Sequence, residues 1–328
     1  MSDILILSEA DLRAAVPLDA TAVETTEAAF RALSDGGVRM PPVLSMELRD
    51  RAEIDVKTAA MPGFESFTVK MSTGFFDNPA LGLPTASGLM VLFSARTGMV
   101  EAVLLDNGWL TEVRTAAAGA VAARHLARPD ASRAAIFGTG AQARLQLRAL
   151  TLVRPIEEAV VWGRDAEKAR RVAGEMTETL NLPVAAEPDA RRAAHGADII
   201  VTTTPATSPI LMAEWLSPGC HVTAMGSDQT GKTELHPDCL ARADVYAADR
   251  IAQTEIMGEL RAAIEAGRFL RERAVELGDV VTRRVPGRRE AADITIADLT
   301  GMGVQDTAIA TLARARALAQ GRGMTVSG

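Results

Sequence analysis

Three kinds of residue stand where they could do chemistry: glycines that let backbone approach a phosphate, oxygen-bearing side chains after strands, and cations in apolar surroundings. The densest group is Ala134-Ala-Ile-Phe-Gly138-Thr139-Gly140-Ala141-Gln142-Ala143, a buried strand leading through Gly-x-Gly-x-x-Ala into a helix. The first glycine allows a tight turn, and the second lets backbone approach a pyrophosphate. Ala143 is small enough for the helix to lie against the strand. N–H groups at the helix start then favour an anion. A plain strand-to-helix connection is the alternative, and the strand before and helix after favour the dinucleotide.

About 20 residues further on, where a second strand meets the adenosine ribose, lies Val160-Val-Trp-Gly163-Arg164-Asp165. Asp165 suits a ribose diol, and Arg164 suits adenine or a 2′-phosphate. A helix N-cap at Asp165 and a solvated Arg164 are the alternative. Ile199-Ile-Val-Thr-Thr203-Thr204-Pro205 ends a strand at the carboxyl edge, where hydroxyls can meet the nicotinamide side or cap the strand. Gly226-Ser227-Asp228-Gln-Thr-Gly231 sets an acid between two glycines beyond another strand. It serves proton transfer or an Asx turn. Lys70 and Arg114 each need a partner or a ligand, an obvious ligand being a substrate carboxylate. Glu112 or Asp106 is the internal alternative. His125, His195, His221 and His236 show no metal-ligand spacing, so no metal is expected.

The elements that must carry these groups fall into two patterns. Asp19 to Leu33 has helical spacing and stops at Gly36-Gly37. Strand-like runs follow at 54–58, 67–72, 88–94 and 99–106, and the short turns between them suggest an antiparallel sheet. Thr111 to Leu126 reads as an Ala-rich helix able to pack closely. From Ala134 strands at 133–137, 158–162, 199–203, 221–224, 245–247 and 295–298 alternate with helices at 142–153, 166–179, 189–194 and 253–266. A last helix spans 305–319. Such alternation is the mark of a parallel sheet covered on both faces.

At 328 residues the chain suits two domains. Its net charge of −7, with no long run of unrelieved Lys and Arg, argues against nucleic acid. Arg283-Arg284 and Arg288-Arg289 read as a solvated loop. Cys220 and Cys239 make no disulfide framework, the N-terminus lacks a signal peptide, and no apolar run is long enough for a membrane helix. The expectation is a cytoplasmic protein.

Lys70, Leu110-Thr-x-x-Arg114-Thr115-Ala-Ala, the Gly138 turn, Gly226-Ser-Asp228-x-x-Gly-Lys-Thr-Glu-Leu and Asp298-Leu-Thr-Gly-Met-Gly303-Val-Gln-Asp306 together resemble the ornithine cyclodeaminase and mu-crystallin family. Lys70-Met-Ser-Thr-Gly-Phe-Phe-Asp-Asn-Pro79 looks most like its ectoine-utilisation branch. The resemblance implies an α/β chain: a Rossmann-type doubly wound parallel sheet domain over 121–304 and an α+β dimerisation and substrate domain over 1–120, rejoined by 305–328. It implies a homodimer in which hydride moves between nicotinamide C4 and the α-carbon of an amino or imino acid. Asp228 would be the acid/base, and Lys70 and Arg114 would hold the substrate carboxylate. NAD is the expected cofactor, with NADP possible. Its contacts are expected from Thr115, Gly138, Thr139, Gly140, Ala141, Gln142, Arg164, Asp165, Thr203 and Ser227.

Two departures bear on the substrate. Where the cyclodeaminases carry an Arg after Pro-Pro and a Glu before Met-Pro, this chain has Val43 and Ala59. Without that Glu a distal amine loses its partner. The expectation is therefore an imine reductase acting on an iminosuccinate-like acid, because ectoine and hydroxyectoine breakdown leads toward aspartate. A cyclodeaminase that releases ammonia and a non-catalytic binding protein of the mu-crystallin kind are the alternatives.

Overall fold

The computed structural model describes residues 3–49 and 52–327, and the chain divides into two compact units. The first comprises residues up to Arg114 together with Met302 onward, and the second Thr115–Gly301.

The first unit opens with β1 (Asp3–Ser8), α1 (Glu9–Ala15) and α2 (Ala20–Asp35). Ser8 and Asp11 form a capping box on α1, and the Asp19 carboxylate accepts the Ala22 N–H at the start of α2. There follow β2 (Leu44–Arg49), β3 (Ala52–Ala59), β4 (Ser66–Phe75), β5 (Ala86–Ser94) and β6 (Val100–Leu105). Consecutive strands from β2 to β6 pair antiparallel, as their short turns suggest. The sheet is nonetheless mixed, because β1 lies parallel beside β6. Helix α3 (Trp109–Leu126) contains the division between the units, and its small residues from Ala116 to Ala123 are almost all buried.

The second unit contains β7 (Arg133–Phe137), α4 (Ala141–Thr151), β8 (Glu158–Trp162), α5 (Ala166–Leu180), β9 (Val184–Ala186), α6 (Ala190–Ala194) and β10 (Ile199–Thr202). It continues with β11 (His221–Ala224), α7 (Asp238–Arg242), β12 (Val245–Ala248), α8 (Ile251–Thr254), α9 (Gly258–Glu265), β13 (Val275–Glu276), α10 (Leu277–Val281) and β14 (Thr295–Asp298). The strands form an all-parallel sheet in the order β13-β12-β14-β11-β10-β7-β8-β9. Strands β10, β11 and β14 are buried at every residue, as a sheet covered on both faces requires. The chain steps from β7 outward through β8 and β9, then crosses to β10 on the other side of β7. That reversal puts the switch point, where such sheets bind ligands, at the carboxyl ends of β7 and β10.

The structure corrects two expectations. The helix expected over 253–266 is two short helices, because Gly258 has φ +84° and an added Cβ would lie 2.8 Å from the Asp298 carboxylate. Arg288 is not solvated: its guanidinium donates to the carbonyls of Leu126, Cys220, Ala291 and Asp293, so it braces backbone.

The chain then returns to the first unit as α11 (Gly303–Ala319) and β15 (Met324–Ser327), the latter pairing antiparallel with β1. Helix α11 packs on α2, β3 and β4. Its first turn lies so close to β3 that a Cβ on Gly303 would meet Thr58 O at 2.5 Å. Thr307 donates to Ala59 O at 2.8 Å.

Candidate active site

Two glycines end β7 for different reasons. Gly138 has φ +141°, and a Cβ there would sit 2.2 Å from Thr203 Oγ1 at the end of β10, so backbone and packing both demand glycine. Gly140 has φ −83° and open space where a Cβ would point. Nothing inside the protein requires it, which leaves the close approach of an external group, the role of the second glycine in such a turn. Gly140 is also the N-cap of α4 and supplies no capping side chain, so the first-turn N–H groups suit an anion. Ala143 is buried, as the packing of helix on strand needs.

A cavity of about 600 Å³ runs from this turn past Trp162–Asp165 to Thr203–Ser208. These residues fit a dinucleotide. Asp165 lines the cavity, and its Oδ1 takes the capping role, accepting the N–H groups of Glu167 and Lys168 at the start of α5. Arg164 and Lys168 add cations to the same wall, and Lys168 went unnoticed in the sequence. Thr115 and Gln142 are tied together through Gln146, whose Nε2 donates to Thr115 O at 3.1 Å and to Gln142 Oε1 at 3.2 Å. Ala141 is the exposed first residue of α4.

Thr203, Thr204 and Pro205 also line a second cavity of about 180 Å³, which reaches Gln142, Gly226 and Asp228. The two cavities share this edge, so one groove follows the carboxyl ends of the strands from Asp165 to Asp228. Asp228 Oδ1 accepts from Lys232 Nζ at 2.7 Å. Lys232 is a second residue missed in the sequence, although its place four residues after Asp228 was a signal. Ser227, an expected cofactor contact, lies beside Asp228 just beyond β11. Its side chain is buried and donates to the Glu259 carboxylate, so only its backbone remains for a ligand.

In the first unit, Lys70 on β4 and Arg114 on α3 converge on one acid. Glu112 and Asp106 are the partners the sequence suggests, but Asp306 of α11 takes the place: Arg114 Nε donates to Oδ1 at 2.9 Å, and Lys70 Nζ lies 3.3 Å from Oδ2. The longer contact is an ion pair without the alignment of a good hydrogen bond. Gln305 Oε1 accepts from Arg114 Nη1 at 3.1 Å. Lys57 is directly opposite Lys70 in the β3–β4 register, and all four charged groups are buried. Burial pushes the Lys70 ammonium down to about 7; Asp306 opposes this, while Arg114 and Lys57 add to it. Burial alone would raise the Asp306 carboxyl, but Lys70, Arg114 and Lys57 outweigh it and hold it below its ordinary value.

A doubly wound parallel sheet with a glycine turn at its switch point defines a Rossmann-type dinucleotide-binding fold. Residues 3–321 match the ornithine cyclodeaminase/mu-crystallin family, and the chain belongs to it. It is 58% identical over 320 residues, 97% of both chains, to the uncharacterized cyclodeaminase y4tK of Sinorhizobium fredii. Among solved structures it is similar to the iminosuccinate reductase of Paracoccus denitrificans in complex with NAD+, with TM-score 0.92, 31% identity and 100% of both chains covered. It is also similar to an archaeal alanine dehydrogenase dimer with bound NAD, with TM-score 0.93, 31% identity and 99% of both chains covered. No described helix is long and apolar enough to cross a membrane.

Proposed function

We propose that this chain is an NAD-dependent reductase of a small imino acid with two carboxylates, of the iminosuccinate kind, giving aspartate in ectoine and hydroxyectoine breakdown. The observation that carries the reading is the groove leading from Gly140, free of any internal need for glycine, to the paired carboxylate of Asp228. The nicotinamide, when bound, supplies the hydride that the α-carbon receives. Asp228 holds a proton at the substrate nitrogen, and Lys232 orients its carboxylate. Lys70 and Arg114, oriented by Asp306, hold the α-carboxylate.

The face of β3 favours a dicarboxylic substrate over a diamine. Ala59 is buried and Lys57 lies two residues before it, on the same face of the strand. A distal amine finds no acid in these two side chains, and Lys57 adds positive charge to that face. The solved relatives named above carry NAD. Arg164 and Lys168 would accommodate the extra phosphate of NADP. Two buried free cysteines suit a reducing cytoplasm.

Leu44 and Met46 share one face of the edge strand β2, Leu48 follows at a register shift, and all three are at least 50% exposed, which supports a homodimer that covers them. Light scattering should return twice the mass of 34.7 kDa, and a monomer at all concentrations would refute the pairing.

Oxaloacetate with ammonium and pyruvate with ammonium, each with NADH or NADPH, and ornithine with NAD+ or NADP+, test the assignment. One NADH should be consumed per aspartate, with oxaloacetate preferred and ammonium required. Release of ammonia from ornithine with no net cofactor change would overturn it in favour of a cyclodeaminase.

A further inference from the structure

We infer that Glu234 sets the position of Asp228: its buried carboxylate clasps the end of β10 to the start of the loop that carries Asp228. This rests on the role proposed for Asp228, and Glu234 acts through that residue as a positioning residue.

Four donors converge on this one carboxylate. Thr202 Oγ1 donates to Oε2 at 2.6 Å, and the Gly226 N–H to the same oxygen at 2.8 Å. The N–H and hydroxyl of Thr204 donate to Oε1 at 2.5 and 2.7 Å. Thr202 and Thr204 are at the end of β10, Gly226 lies just beyond β11, and Asp228 follows two residues later. The approach is close enough that a Cβ on Gly226 would meet Thr204 O at 2.1 Å and Glu234 Cδ at 2.5 Å. Thr204 and Gly226 both line the cavity that holds Asp228, so the clasp joins two walls of that cavity.

A second carboxylate holds both ends of the same loop. Glu259 on α9 accepts from Ser227 Oγ, from Thr233 Oγ1 at 3.0 Å, and from the N–H groups of Glu234 and Leu235 at 2.8 and 3.1 Å. Between these anchors the Asp228–Lys232 ion pair spans the loop. Two acids buried side by side, without a cation on either in these contacts, cost free energy that an apolar pair would not. Their donors define one loop geometry in return.

Ionised, Glu234 can accept all four bonds. Protonated, one oxygen becomes a donor and the set cannot be kept whole. Burial pushes the Glu234 carboxyl up to about 7, and Glu259 adds to the rise while the donors from Thr202 and Thr204 oppose it. Asp228 and Lys232 lie on its own loop, and the Arg261 guanidinium of α9 donates to Lys232 O at 3.0 Å. Beyond Glu259 lie Asp298 of β14, Tyr246 of β12 and Cys239 of α7. Acidification through neutrality therefore loosens the loop.

Glu234→Gln tests the clasp, because it keeps shape but cannot ionise. Its kcat should fall about tenfold or more, with the wild-type kcat limb near neutral pH abolished and NADH affinity within about twofold. Amide exchange at Gly226 and Thr204 should accelerate. A lower Tm with wild-type kcat and an unchanged pH limb would reduce Glu234 to a structural residue and overturn the inference. If Glu234→Gln does not fold, Thr202→Val removes one donor from the buried side, and the limb should move to higher pH; an unmoved limb would again overturn it. Should the wild type reduce no imine, the substrate assignment fails. Exchange at Gly226 and Thr204 then decides the clasp alone, unchanged protection in the variant counting against it.

Discussion

In the first unit Lys57, Lys70 and Arg114 lie around Asp306, whereas in the second unit Glu234, Glu259, Asp249 and Asp298 are buried on backbone N–H groups and hydroxyls. The first arrangement is held by ion pairing, so removing Asp306 takes an acid from Lys70 and Arg114 at once. The second is held by many donors around each carboxylate, and losing one bond leaves the others. Burial moves a key group in each toward neutrality, Lys70 downward and Glu234 upward, each to about 7. The cations suit an anionic substrate, while the carboxylates fix the geometry of a loop.

The largest effect that separates the two regions is on stability. Asp306→Asn leaves Lys70 and Arg114 buried without their acid, and chemical denaturation should show a loss of about 3–5 kcal/mol, the cost of breaking a buried pair. A loss below about 1 kcal/mol would mean that water already screens the cluster. Gly140→Val acts on binding instead. The backbone there tolerates a side chain and no protein atom is in its way, so the variant should fold as the wild type yet show no NADH binding in calorimetry. Unchanged affinity would remove the turn from the cofactor site.

The pH dependence of stability sharpens the contrast with a smaller effect. Glu234 binds more protons in the native state between about 4.5 and about 7, so its contribution is present below that window and lost as pH rises through it. Lys70 has the opposite sign: its contribution is present above 10.5 and lost as pH falls toward about 7. The difference between wild type and Glu234→Gln should therefore change only across the acid window, and that for Lys70→Met only across the alkaline one. Flat difference curves would show that neither group is titrating as its burial demands.

The parts of this molecule that are legible in its sequence are local. Strands β7 and β8 are apolar runs after a charged first residue, and the glycine turn between β7 and α4 carries its meaning within ten residues, so both are legible. Asp306 was not recognised as the partner of Arg114, because 192 residues separate them and only folding joins them. Glu234, Glu259 and Asp298 look like surface acids in a linear pattern. Their burial follows from where β10, β11 and α9 meet, and the acid in the apolar strand Thr295–Asp298 was the one visible hint. The break before Gly258 was hidden for the same reason: helical spacing continues across it, and the Asp298 carboxylate that demands a glycine comes from 40 residues away.

The most direct measurement compares hydride transfer with cofactor affinity in Asp228→Asn. Asparagine keeps size and hydrogen bonding but cannot exchange a proton, and it loses the ion pair with Lys232. Turnover should fall by roughly 10² to 10⁴-fold, the usual worth of a general acid or base, while the NADH dissociation constant stays within about twofold. Near-normal turnover, or weakened NADH binding with turnover intact at saturation, would make Asp228 a turn residue and contradict the placement of the reacting nitrogen beside it.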